Sequence, residues 1–285
     1  MTKNPFNTDL LSAVNLRLNP KGFNGVYGCM IEFQSGESSN MLRYKQQFEY
    51  LGERNGQNHL FRITRFEDIF INDRKPDSFL EELSHEVSMT LYPLDVECNS
   101  TGSFKIITNF PEIQKRWSVK KDELLNKYTD ESVQKYIEKV CYSLAFKERL
   151  LVKLESDYFL SVYFKPIFIY YTAFLSFETN LSFPVLGLSK PVNFKVNQSI
   201  DEKQLQQNEY RIHINGQIDD DRSLADLEQK FDYPNYSTED EEEKGSCSFI
   251  YLLNNKTKII EGINGVFDLK FGSTRKVLVK MFLLE

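Results

Sequence analysis

The residue types that do most protein chemistry are few here and scattered. There are three histidines, His59, His85 and His213, and none has a second ligand at metal spacing. His85 follows Glu81 by four residues, which places both on one helical face. The run Glu81-Glu82-Leu83-Ser84-His85-Glu86 nevertheless lacks the His-Glu-x-x-His order of a zinc helix. Cys29, Cys98, Cys141 and Cys247 are far apart, with no Cys-x-x-Cys, so they read as free thiols in a reducing compartment. No dinucleotide fingerprint, phosphate loop or nucleophile elbow is present, and Gly262-Ile263-Asn264-Gly265 reads as a turn between strands. These observations lean away from an enzyme: no catalytic residue, metal ligand or cofactor is expected.

Carboxylates form two clusters. Asp219-Asp220-Asp221 precedes a short helical pattern carrying Leu224, Leu227 and Phe231, so its charge is expected to complement the N-terminal dipole of that helix. Three consecutive side chains rarely converge on one ion, and the spaced calcium-loop pattern is missing. Glu239, Asp240, Glu241, Glu242 and Glu243 form a like-charge block, expected to be solvated and available to a basic partner surface. Lysines and arginines gather on the helical stretch from Lys115 to Lys153, but Glu112, Asp122, Glu123, Glu131, Glu138, Glu148 and Glu155 nearly cancel them. With 41 acidic and 35 basic residues, the net charge of −6 also argues against nucleic-acid binding.

Aromatics are the compositional anomaly: 23 Phe and 15 Tyr against a single Trp. They peak in 159–177, FLSVYFKPIFIYYTAFLSF. Lys165 and Pro166 interrupt this run, and a lysine at mid-membrane costs about 3 kcal/mol, so no stable membrane insertion is expected. The run predicts a buried helix ending at Pro166 and a buried strand after it. Tyr170, Tyr171, Phe174 and Phe177 are the candidate wall of an apolar ligand site.

The elements that must position these residues follow from periodicity. Leu42, Tyr44, Gln46, Phe48 and Tyr50 alternate as a strand, Glu53–Gly56 turns the chain, and a return strand runs from about His59 to Thr64. Asp77 is placed to cap a short helix. A second hairpin spans Thr90–Cys98 and Phe104–Ile107. Helices are predicted at about 110–127, 131–145 and 147–164, with one kinked helix as the alternative for the last two because no Gly or Pro separates them; Asn109 and Glu112 have capping-box spacing. Strand patterns return after 166 and fill the C-terminal part.

The expected fold is α+β, with antiparallel strands from both ends of the chain packed around a central block of two to three helices. One domain over 1–285 is preferred; the alternative is a split near 166, into 1–166 with the hairpins and helices and 167–285 with mainly strands. No apolar stretch of secretory type follows Lys3, so a cytoplasmic location is expected. The leading function is a non-enzymatic protein-interaction component, an adaptor, chaperone or assembly factor whose partner is another protein. The alternatives are a carrier of an apolar or aromatic small ligand and an enzyme built on scattered carboxylates. Sequence leaves the oligomeric state open.

Overall fold

Side chains that alternate between apolar and polar put one face of a strand in a core and the other in water. That pattern dominates both ends of this chain and builds one large sheet. The computed structural model describes residues 13–187, 189–206, 209–235 and 243–284. Its elements are β1 (Val14–Asn15), β2 (Asn24–Ser35), β3 (Ser38–Arg54), β4 (Asn58–Ile71), α1 (Phe79–Met89), β5 (Leu94–Cys98), β6 (Phe104–Ile107), α2 (Phe110–Lys127), α3 (Glu131–Leu144), α4 (Lys147–Glu155), α5 (Tyr158–Tyr163), β7 (Tyr170–Tyr171), β8 (Ser176–Phe183), β9 (Val192–Ile200), α6 (Glu202–Gln206), β10 (Tyr210–Ile218), α7 (Leu224–Glu228), β11 (Gly245–Leu253), β12 (Ile260–Leu269) and β13 (Lys276–Leu284).

Eleven strands form an antiparallel sheet in the order β6-β5-β4-β3-β2-β13-β12-β11-β10-β9-β8, and β1 pairs separately with β7. The two halves of the chain meet where β2 pairs β13, with Cys29 opposite Met281 and Ile31 opposite Val279. Strand exceeds helix, 43% against 26%, so the expected α+β description fits only in part. The frame is an antiparallel sheet, and helices α2–α5 are an insertion between its two edge strands.

The aromatic excess fills the inner face of this sheet. Phe48 on β3 lies 4.6 Å from Tyr163 and 5.2 Å from Phe159 of α5, ring centre to ring centre. A second group joins Phe183, Phe249 and Phe267 at 5.0–5.2 Å. Rings stacked or edge-on at such distances add about 0.5–1.5 kcal/mol per pair beyond area burial. Gly265, opposite Phe249 in the β11–β12 ladder, is what lets that ring lie flat, because a Cβ there would overlap it. Gly265→Ala is therefore expected to lower stability by about 1–3 kcal/mol through overpacking. Urea unfolding measures it, and Phe249→Leu in the same chain should recover part of the loss.

The helices follow their stripes. α2 buries Ile113, Trp117 and Leu124, and α3 buries Val133, Ile137, Val140 and Leu144. Their ends depart from the sequence reading. α1 is capped by Ser78 in a capping box with Glu81, not by Asp77. Asn109 makes no cap bond: its Oδ1 accepts from Asp95 N, and its Nδ2 donates to Pro93 O. The helix expected over 147–164 is two, because Asp157 caps α5 by accepting from Leu160 N.

Instead of the strand expected after Pro166, residues 164–169 form a strap with no regular structure. Buried irregular backbone needs partners for its polar groups. Here neighbouring elements supply them: Gln198 Nε2 of β9 donates to Pro166 O, and Leu16 N, just after β1, to Ile169 O, while Tyr251 Oη of β11 donates to Val162 O at the end of α5. The strap touches both ends of the sheet. Phe168 N donates to Thr101 O in the β5–β6 turn, and Lys165 Nζ donates to Ser182 O on edge strand β8. Gly102, with φ +92°, makes room for it: a Cβ there would stand 2.6 Å from the Phe168 ring and 2.9 Å from Lys165 O.

Candidate functional site

The four residues expected to line a ligand site do not form one wall. Tyr171 is buried, donates to Ile167 O and accepts from Gln198 Nε2 at 2.6 Å, and Phe177 packs edge-on against it at 5.7 Å. Tyr170 and Phe174 point outward, 61% and 87% exposed. The space beneath the strap is a void of about 10 Å³ between Phe61, Tyr163, Phe164 and Phe168. That is about the room one water needs.

Lys165 was visible in the sequence only as an interruption of an apolar run. Its ammonium is buried, with Nζ 2.6 Å from Ser182 O and 4.1 Å from the centre of the Phe183 ring. Among the described residues no carboxylate lies within 4 Å of it. Burial pushes its pKa down to about 7, against weaker upward pulls from Cys247 and Glu155.

A second polar cluster sits on the inner face of β2–β4. Arg65 is held between the rings of Tyr44 and Tyr92, each centre 4.5 Å from its guanidinium carbon, with Asp157 Oδ2 at 3.5 Å. An irregularity in the β3–β4 ladder positions it. Gln46 opposes Arg65 but Tyr44 opposes Ile69, so β4 carries two extra residues there. Burial opposes the guanidinium charge, but Tyr92, Tyr44 and Asp157 outweigh it and hold Arg65 above its usual range. Nearby Cys29 is raised far above an ordinary thiol by burial, despite Arg65 and Gln46, so it rests as a protonated thiol and not as a nucleophile. This cluster joins three strands, the loop after α1 and the cap of α5.

The carboxylate clusters separate. Asp220 is buried and forms a bidentate pair with Arg222, at 2.7 and 2.8 Å. The cap of α7 is Ser223 with Asp226, so the expected capping role of Asp219-Asp220-Asp221 is not what the structure shows. Glu239, Asp240, Glu241 and Glu242 lie outside the described residues, and Glu243 is exposed.

At the surface, the corner between α3 and α4 carries Tyr142, Phe146 and Val152, all more than half exposed. The Arg149 guanidinium lies 3.7 Å from the centre of the Tyr142 ring and 4.8 Å from that of Phe146, and its Nη1 donates to Tyr142 O. Sequence held the signal. Tyr142 falls off the buried stripe of α3 and Phe146 is the N-cap of α4, which leaves two large apolar residues exposed where the helices meet. An open depression of about 410 Å³ lies between α1 and α2, floored by Met89 and Val119, but Lys120, Glu86 and Glu123 on its rim are already paired with one another.

No family model matches this sequence, and no curated protein is significantly similar to it. One solved structure, titled "Lipid-protein interactions in lipovitellin", aligns over 92% of this chain at 10% identity and a TM-score of 0.46. The alignment covers 25% of that chain, so the present sequence spans about a quarter of its length. Among the described residues, no helix is long and apolar enough to cross a membrane.

Proposed function

We propose that this chain is a non-enzymatic protein-interaction component of the cytoplasm that docks a partner protein on the α3–α4 corner. The observation that carries this reading is the exposed cluster of Tyr142 and Phe146 with Arg149 stacked on both, and Val152 one turn further on. Tyrosine and arginine are enriched among residues that dominate binding energy, because they bury large area and still hydrogen-bond. The Arg149 stack also fixes these side chains before binding, which lowers the ordering cost. The packed interior supports a surface role over a resident ligand, since aromatic rings fill the inner face of the sheet.

A photo-reactive benzoylphenylalanine in place of Val152 tests this in the native host. It is expected to trap one defined protein neighbour, and Tyr142→Ala with Arg149→Ala should cut the adduct at least ten-fold without moving the melting temperature. A monomer that gives no protein adduct from position 142, 146 or 152 would overturn the reading.

A further inference from the structure

The strap spans the inner face of the fold between the two ends of the sheet. Among the described residues β6 and β8 are the two edge strands of the sheet, and residues 164–169, followed by β7, cross between them. On the β6 side the hold is Phe168 N to Thr101 O, at 3.1 Å. On the β8 side it is Lys165 Nζ to Ser182 O, with Gln198 of β9 holding Pro166 O and the Tyr171 hydroxyl, and Leu16 N, just after β1, donating to Ile169 O. We infer that residues 164–169 are a latch that detaches locally, while the sheet and β7 stay folded, when Lys165 takes up a proton.

The surroundings of the amine are what make it a trigger. A charged ammonium has three donors to satisfy. The closed strap offers it one carbonyl, the face of Phe183 and, among the described residues, no carboxylate within 4 Å. The titratable groups acting on it are Cys247 of β11 and Glu155 at the end of α4. The neutral amine is tolerated in that space, and the charged form is better solvated outside it.

The sign follows from linkage. In the closed strap Lys165 titrates near 7, and in a detached, hydrated strap near the ordinary 10.5. Between those values the detached state binds more protons, so its population grows as pH falls, by up to about ten-fold per pH unit. Below pH 7 both states are protonated and the effect levels off. Detachment would uncover Phe61, Tyr163 and the small void beside them.

Amide hydrogen exchange of the whole chain at pH 9.0 and 7.0, corrected for intrinsic rates, tests the latch. The amides of Ile167 and Phe168 are expected to be less protected than those of Phe249 and Tyr251 in β11. They should lose a further ten-fold or more of protection on going to pH 7.0, and Lys165→Met should remove that pH effect. Equal protection of strap and β11 amides at both pH values, measured on the wild type alone, would mean the strap opens only when the sheet unfolds, and would overturn the inference. So would a pH effect that persists in Lys165→Met.

Discussion

Lys165→Met is expected to make the protein more stable at pH 7, by about 2–4 kcal/mol, although it deletes a buried contact. A folded-state value near 7 against 10.5 for the unfolded chain corresponds to about 5 kcal/mol against folding at neutral pH. The hydrogen bond to Ser182 O and the contact with the Phe183 ring return about 1–3 kcal/mol of that. The direction with pH is fixed. Between 7 and 10.5 the unfolded chain binds the extra proton, so wild-type stability rises with pH in that window and is lowest, and constant in this respect, below 7. The clean interval is pH 7.0 to 8.5. Above it the buried thiols of Cys29, Cys98 and Cys247, all raised by burial, begin to favour the unfolded state, in which they ionise first. Over that interval the wild type should gain about 2 kcal/mol in urea unfolding, and the methionine variant should show a flat profile. A variant less stable than wild type at pH 7, or one with the same pH slope, would mean that the amine is hydrated in the folded protein.

The same lysine shows where reading the sequence stops. Periodicity is a local property, and what depends on it was legible: the β3–β4 hairpin and the helices α2 and α3. Cap residues failed where tertiary structure made a better offer. Asn109 has the right spacing to Glu112, but Asp95 N and Pro93 O claim its amide. The run from Lys147 to Phe164 contains no Gly or Pro, yet it breaks at Ser156 because Asp157 both caps α5 and faces Arg65 from β4. The strap is apolar enough to read as a strand. Whether it pairs or merely bridges depends on the distance between two sheet edges formed by residues far apart in the chain. For the surface the bias ran the other way. Runs of like charge are conspicuous in a sequence, whereas the α3–α4 corner is assembled from residues that stand out only by lying off the buried stripes of α3 and α4.

The clearest contrast within one such run concerns Asp219, Asp220 and Asp221. Asp220→Ala is expected to cost about 3–5 kcal/mol, because it leaves the Arg222 guanidinium buried without its counter-charge. Asp219→Ala and Asp221→Ala, both at exposed positions, should stay within about 0.5 kcal/mol of wild type. The asymmetry comes from what Asp220 holds. Its two oxygens accept from Arg222 Nε and Nη2, and Oδ2 also accepts from Asn193 N at the start of β9. Burial works against its charge, but these hydrogen bonds outweigh it and hold the carboxyl below the ordinary 3.8. Its contribution is therefore complete above pH 4 and is lost as pH falls through the lowered value. Arg222 has a second set of duties, donating to Pro191 O, Lys190 O and Phe231 O, which tie the segment before β9 to the end of α7. Asp220→Ala combined with Arg222→Met should thus recover only part of the loss: the stranded charge is gone, but three part-buried carbonyls lose the Arg222 donor. Unfolding curves for the two single variants and the double variant separate these contributions. If Asp219→Ala and Asp220→Ala proved equally mild, the run would be acting through its summed charge on α7, as its sequence alone suggests.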